Sequence, residues 1–380
     1  MERCDVLIVG GGPAGSTCAW ELGRAGLDVV VADRAVFPRD KPCAGWVTPA
    51  ALSALELDAD DYRRDGRVLQ PITGFRTSRL GDREVRTQYT APVSFGILRR
   101  EFDHYLLGRS GARPRLGRAV GHLRRVQDGW VLDEELFAPV VVGAGGHFCP
   151  VARQLAGPAP AEATVVAQEA EVPLAGAWRE ECPVQPEAPE LFFCPDLAGY
   201  GWCVRKGDWL NVGFGRQGER SLPAQVEAFV AFLTSRGRLP ADAVLPMKGH
   251  AYRLAGSATR PLHGDRFVLA GDAAGLAYAG SGEGIRPAIE SGLLAARALL
   301  ATRGRYGAAD LAPYARAVRA RYGIGSRGGR FIPAGLVVAL GGAVLRSGWA
   351  TRRLLVERLF LRATEPPLAA LPTQARRPAA

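Results

Sequence analysis

The 380-residue chain is 47% hydrophobic, with 47 glycines, 27 prolines and a formal charge of +10. That apolar content supports a buried core, and the glycines and prolines punctuate apolar runs without forming low-complexity tracts, which excludes disorder as the default. The basic residues are scattered, with no aromatic-interleaved basic stripe of the kind that binds nucleic acid, and only Lys41, Lys206 and Lys248 among them are lysines. Seven cysteines without a C-x-x-C pair and five scattered histidines argue against a disulfide framework and against a metal site.

The chain opens on the strand-like DVLIVG, with no basic, cleavable leader ahead of it, and a cytoplasmic location is expected. There follow Gly10-x-Gly12-x-x-Gly15, a helix-like stretch and a second apolar strand ending at Asp33. Gly10 permits the tight turn, Gly12 lets a pyrophosphate approach the backbone, Gly15 allows close helix–strand packing, and the helix N-terminus offers a positive dipole end. Asp33, beside Arg34 and 18 residues after Gly15, is placed to accept a ribose hydroxyl. About ten residues on, Lys41-Pro42-Cys43-Ala44-Gly45-Trp46 reads as a loop of defined shape, because Pro42 restricts its predecessor and Gly45 supplies backbone freedom. Arg99 opens a helix-like segment and reads as a phosphate-facing cation.

Between about 160 and 260, ATVVAQEAEV, ELFFC, YGWCVR and WLNVGFGR alternate with a period of two and predict an antiparallel sheet, the last two joined by a KGD turn. Tyr200, Trp202 and Trp209 follow that period and either line an apolar pocket or pack the sheet on a helix. SLPAQVEAFVAFLTSRG predicts one helix, N-capped by Ser221 and stopped at Gly237. In RFVLAGDAAGLAYAGSGEGIRPAIESGLL a strand ends at Gly271-Asp272 and a helix begins near Gly284, with Pro287 tolerated in its first turn. Asp272 is placed to bind a ribityl hydroxyl, and backbone N–H groups at Gly284 and Ile285 to face a flavin pyrimidine ring. NAD has no ribityl chain, so the two distant motifs together point to FAD.

From about 301 the pattern is helical. FIPAGLVVALGGAVL, residues 331 to 345, carries no charge and is flanked by Arg327, Arg330, Arg346, Arg352 and Arg353. Fifteen residues are too few to span a bilayer of about 30 Å. The segment reads either as a peripheral membrane contact or lipid-tunnel cap, or as a hairpin packed on the core.

The GGGPAG opening, RDKPCAG, Arg99-x-x-Phe102-Asp103, the Gly-Asp segment with SGEGI, and GYGWCVRKGDWLNVGFG together resemble the geranylgeranyl reductase family of flavoproteins with the p-hydroxybenzoate hydroxylase fold, over roughly residues 4 to 300. The resemblance implies an α/β fold: a discontinuous Rossmann-type FAD-binding domain (1–75, 99–157, 265–300), an antiparallel-sheet substrate domain (76–98, 158–264) and a C-terminal helical region (301–380). It implies FAD contacts at Ala14, Asp33, Cys43, Ala44, Gly45, Arg99, the backbone near Val120, Asp272, Gly284 and Ile285, and a substrate pocket at Tyr200 and Trp202. Two positions depart from the wider pattern: Gly145-Gly146 stands where flavin hydroxylases carry Asp-Gly, and Val204-Arg205 stands where the aromatic strand usually ends in Phe-Pro.

The activity this implies is reduction of C=C bonds in a lipophilic, isoprenoid-like substrate, with hydride from the reduced flavin and a proton from a nearby acid. Cys43 is the candidate acid or flavin contact, since a thiol can donate a proton at neutral pH; the alternative is a small residue needed only for loop packing. Two other readings remain open, a flavin monooxygenase or halogenase and a flavin electron-transfer protein at a membrane. The electron donor is likewise open among NAD(P)H, ferredoxin and a quinol, because no second dinucleotide fingerprint follows.

Overall fold

A computed structural model describes residues 1–156, 164–218, 222–256, 260–324 and 334–371. Four valine-rich segments, each fully or almost fully buried, make the middle of a six-stranded sheet. Its order is His263–Gly264, Phe267–Leu269, Val141–Gly143, Val6–Val9, Val29–Asp33, Arg113–Leu116. All neighbours are parallel except the first pair. Near-continuous apolar strands are what a parallel sheet covered on both faces requires. The helices Pro13–Arg24 and Ile285–Ala301 pack on each other against it. Their close approach is made at Gly292, where a side-chain carbon would sit 2.4 Å from the Ala14 carbonyl oxygen. The two sequence-distant motifs thus meet in one nucleotide-binding layer.

The second large sheet has seven strands in the order Lys248–Arg253, Thr164–Pro173, Trp209–Gln217, Gly199–Lys206, Glu190–Phe193, Gly74–Arg79, Val85–Gln88. It is antiparallel, as expected, save for one parallel junction between Glu190–Phe193 and Gly74–Arg79. That junction carries the sheet back into the first hundred residues, which the alternation pattern of 160–260 does not reveal. The KGD turn closes the Gly199–Lys206/Trp209–Gln217 hairpin, with Gly207 at φ +56°. The helix Leu222–Ser235 packs its buried Val226, Phe229 and Leu233 on one face of the sheet; the expected cap Ser221 lies outside the described residues.

The C-terminal region is helical over Ala308–Tyr322, Ala334–Val344 and Thr351–Phe360, the last wound as a π-helix. Residues 331 to 333 of the apolar run, with Arg327 and Arg330, lie outside the described residues. Leu345, Leu355 and Phe360 pack on the seven-stranded sheet, whereas Leu336, Val337, Leu340 and Trp349 are exposed, Trp349 at 70%. Among the described residues no helix is long and apolar enough to cross a membrane.

Candidate active site

A cleft of about 470 Å³ runs from Gly10 and Asp33 to Tyr200, Trp202 and Phe360, between the parallel sheet and the seven-stranded sheet. Its size is that of a cofactor or ligand pocket.

At the nucleotide end each glycine has a steric reason. Gly10 has φ +113°, and a side-chain carbon there would fall 2.3 Å from the Ala144 carbonyl oxygen; one at Gly15 would fall 1.9 Å from that of Gly10. Gly12 caps the helix Pro13–Arg24 and leaves an open face whose nearest neighbour is the Arg39 guanidinium. Asp33 accepts the Gly11 N–H at 2.8 Å and the Ala35 N–H at 2.9 Å, which fixes its carboxylate at the strand end.

Arg99 lines the cleft, as expected of a cofactor contact, with its guanidinium already engaged by a carboxylate. It is buried in the first turn of Arg99–Arg109 and gives both arms of its fork to Asp103, at 2.9 and 2.8 Å. Arg39 joins the same carboxylate at 3.1 Å, while its Nη1 is buried with no partner. Two guanidinium groups on one carboxylate leave a net positive charge beside Gly12, and Arg39, which sequence reasoning missed, is the cation turned towards it. A buried donor without an acceptor is costly, and an anion such as a pyrophosphate would satisfy it.

At the flavin end Asp272 follows the strand Phe267–Leu269, and Gly284 caps Ile285–Ala301, in whose first turn the Arg286 N–H donates to the Glu283 carboxyl at 2.9 Å and the Ala288 N–H to the Gly284 carbonyl at 3.0 Å. Burial works against ionisation of Asp272, yet His250 at 3.6 Å and the Lys41 charge hold its carboxyl below the ordinary value. The His250 imidazole is held low by burial. Lys41, whose Nζ lies 3.1 Å from a ring nitrogen of His250, is pulled down to about 8, chiefly by burial.

On the opposite wall Tyr200 and Trp202 line the cleft as expected. The Tyr200 hydroxyl donates to the Ser281 carbonyl at 2.6 Å, and the Trp202 indole donates to Asn211 Oδ1 at 2.7 Å. Phe360 closes this wall, its ring 5.6 Å from Tyr200 and stacked on Trp46 at 5.5 Å. Trp209 is not part of the cleft; Arg100 lies over its ring at 4.6 Å. Cys43 and Ala44 line the cleft, and Cys43 is half-buried whereas the other six cysteines are buried. Gly45, at φ +64°, supports the loop from behind, where a side-chain carbon would strike the Ile97 carbonyl at 2.2 Å. Lys206, fully buried, donates to the carbonyls of Ala44 at 3.1 Å and Ile97 at 3.0 Å and pairs with Glu171.

Of the remaining expected site residues, Ala14, Arg34, Gly284 and Ile285 line the cleft. Val120 does not; it packs on the edge of the main core. Sequence reasoning passed over Arg39, Lys41, Glu169, His250, Glu283 and Phe360. Glu169 and Glu283 are both pushed up to about 7, each mainly by burial. Lysines are so rare here that Lys41 was itself a usable signal; a glutamate in an alternating strand was not.

The glycine turn, the Asp272 strand end and the capped helix beyond it form one continuous binding wall fitted to a dinucleotide with a ribityl arm, and they define an FAD-dependent oxidoreductase. A model of the FAD dependent oxidoreductase family matches residues 5–69. Menaquinone reductase of Mycobacterium tuberculosis is 33% identical, over 78% of this chain and 77% of its own. Geranylgeranyl diphosphate reductase of Rhodobacter capsulatus is 29% identical, over 79% and 75%. The fold matches that of a geranylgeranyl bacteriochlorophyll reductase-like protein from Thermoplasma acidophilum, with a TM-score of 0.72 at 20% identity, over 91% of this chain and 88% of that one. It also matches halogenase PltM crystallised with phloroglucinol and FAD, with a TM-score of 0.70 at 17% identity, over 95% and 82%. The chain belongs to the family of FAD-dependent oxidoreductases that includes menaquinone reductase and geranylgeranyl reductase.

Proposed function

We propose that the protein reduces carbon–carbon double bonds in the isoprenoid-like tail of a lipophilic substrate, of which a menaquinone is one. The observation that carries this reading is the wall facing the nucleotide end: Tyr200, Trp202, Trp46 and Phe360 make an apolar surface, with Cys43 the one cysteine open to it. The sequence relatives named for prenyl and menaquinone reduction support it.

Gly10, Gly12, Ala14, Asp33, Arg34, Arg39, Asp272, Gly284 and Ile285 would hold FAD. FAD, when bound and reduced, supplies hydride. Protein side chains do the rest. The helix dipole at Gly12 and the unpaired Arg39 nitrogen draw the pyrophosphate. Asp272 would hold the ribityl chain, and the N-terminus of Ile285–Ala301 would favour negative charge on the ring. Tyr200, Trp202 and Phe360 align the tail and exclude water, and the Cys43 thiol gives a proton to the carbon that does not receive hydride. The domain division proposed from the sequence, with 1–75, 99–157 and 265–300 around the nucleotide, puts the cleft at the junction of the two layers.

Cys43→Ala should leave FAD bound and reducible while slowing substrate-dependent reoxidation by about 10²–10⁴, and Cys43→Ser should recover little, as its hydroxyl is a much weaker acid. Unchanged reoxidation in both variants would remove Cys43 from the mechanism.

We further propose that the exposed face of Ala334–Val344 rests on an anionic bilayer, from which such a substrate is drawn. Leu336, Leu340 and Trp349 present apolar surface there. Arg346, Arg352 and Arg353 stand beside them, each more than 40% exposed at the side chain, in the arrangement of an interfacial segment.

A further inference from the structure

Beneath the Cys43 loop two glutamates, Glu169 and Glu171, lie two residues apart on Thr164–Pro173 and so on one face of that strand. Their surroundings make them unequal. Glu171 is 22% exposed at its side chain and ion-paired with Lys206. Glu169 is buried, lines the cleft and takes its hydrogen bonds from neutral donors, Asn211 Nδ2 at 2.5 Å and the backbone of Cys43.

The Asn211 amide has a fixed orientation, because its Oδ1 accepts from the Trp202 indole, a group that can only donate. Its Nδ2 therefore faces Glu169 and, at 3.1 Å, the Cys43 carbonyl. Gly213 lets the indole lie flat beside the carboxyl: a side-chain carbon there would fall 2.2 Å from the Trp202 ring and 2.7 Å from Glu169 Cβ. The charged groups around Glu169 are Glu171 on its own strand, Lys206 on the hairpin and Lys248, its register partner on the next strand; Lys41 and His250 lie across the cleft, and the Arg99 guanidinium bears on the Cys43 thiol. Burial, and then the Glu171 charge, push the Glu169 carboxyl up to about 7 against the attraction of Lys206.

We infer that Glu169 is the proton store of the cleft, returning to Cys43 the proton that the thiol gives to the substrate. This rests on the double-bond reduction and the donor role of Cys43 proposed above. One hydrogen with two electrons passes from the reduced flavin to one alkene carbon as the π bond opens. The Cys43 S–H bond breaks and its proton forms the second C–H bond. The thiolate then takes the proton of the Glu169 O–H, and the carboxylate left behind keeps the Asn211 and Cys43 backbone donors until water reprotonates it. The alkene gains two hydrogens, the side chains of Cys43 and Glu169 end as they began, and a two-electron donor would restore the flavin before the next turnover. A carboxylic acid titrating near neutrality protonates an alkyl thiolate downhill.

The test pairs spectroscopy on the oxidised holoprotein with turnover. Infrared difference spectra across pH should show protonated-carboxyl C=O absorbance that titrates near neutrality in the wild type, of which Glu169→Gln loses the Glu169 share and keeps that of Glu283. With holoprotein kept reduced by excess dithionite and a menaquinone bearing a tetraprenyl tail, Glu169→Gln should make its first turnover at the wild-type rate. Its later turnovers should slow by about tenfold or more, and it should lose the wild-type decline in rate above about pH 7. Glu169→Asp, which keeps a titrating group, should restore part of the later rate. Equal bands in the wild type and Glu169→Gln, or a Glu169→Gln variant with unchanged steady-state rate and pH profile, overturn the relay while leaving double-bond reduction intact. A band that titrates as expected in a wild type that reduces no double bond would instead overturn the reduction reading, and the relay with it.

Discussion

Replacing Lys206 by methionine should loosen the Cys43 loop and cost the protein about 3 kcal/mol. Lys206 has 0% side-chain exposure and serves three acceptors at once, the carbonyls of Ala44 and Ile97 and the carboxylate of Glu171. Methionine fills the space but makes none of these bonds. A buried carbonyl that loses its donor costs about 1–3 kcal/mol, and breaking a buried ion pair costs about 3–5 kcal/mol. Glu171, at 22% exposure, is reached by water after the change, which sets the expectation at the lower end. Lys206→Arg should not rescue. The ammonium lies where a side-chain carbon on Gly45 would be 2.6 Å from Nζ and one on Gly96 2.7 Å from Cγ, and a planar guanidinium does not fit that slot. In urea the midpoint of Lys206→Met should fall by about 1 M or more, for a slope of about 3 kcal/mol/M. Alkylation of Cys43 should accelerate as its loop opens. Lys206→Met/Glu171→Gln should recover part of the loss, since no uncompensated charge remains. Unchanged midpoints in both single variants, with unchanged Cys43 alkylation, would refute the reasoning.

Asp272→Ala should weaken FAD retention by about tenfold or more, the equivalent of one lost charge-assisted hydrogen bond, read as FAD released on ultrafiltration; full retention would remove Asp272 from the site. Glu169 has a folded value raised from 4.5 to about 7, so its contribution to stability is complete below 4.5 and is lost as pH rises through about 7. Between about pH 5 and pH 8 the wild type should therefore lose up to about 3 kcal/mol more than Glu169→Gln in denaturant titrations, and parallel curves would contradict the raised value. Reversing Arg346, Arg352 and Arg353 to glutamate should release the protein from anionic liposomes and leave it bound no better than to neutral ones; equal sedimentation of wild type and variant would contradict the membrane contact.

The nucleotide end was legible because its chemistry is local: a turn that needs Gly10 at positive φ, a helix that needs Gly15 bare, and an acid at each of two strand ends occupy fixed offsets in the chain. The substrate wall was legible only as alternation, which put Tyr200 and Trp202 in the cleft but also suggested Trp209, seven residues on and across the hairpin, where Arg100 covers it. Arg99 was placed in the cleft, but sequence shows the cation and not its pairing with the buried Asp103, four residues later on the same helix face. Glu169, His250 and Phe360 come from three separate segments, and only tertiary contacts bring them to one cleft. One signal was present and underused. In a chain whose cations are almost all arginine, Lys41, Lys206 and Lys248 all bear on the loop from Asp40 to Gly45: Lys248 pairs with Asp40 at 2.7 Å, Lys206 holds the Ala44 carbonyl, and Lys41 lies in the cleft itself. A compact ammonium suits crowded backbone sites that a guanidinium cannot enter.

Double-bond reduction is tested most directly by incubating the reduced protein anaerobically with a total lipid extract and with a tetraprenyl menaquinone, followed by mass spectrometry of the lipids. A menaquinone that stays heavier by two hydrogens after its ring has been reoxidised in air, formed as the flavin is reoxidised and much more slowly with Cys43→Ala, is the predicted result. Recovery of every lipid unchanged, or of a product that appears only when oxygen is admitted and carries an added oxygen or halogen atom, would contradict it.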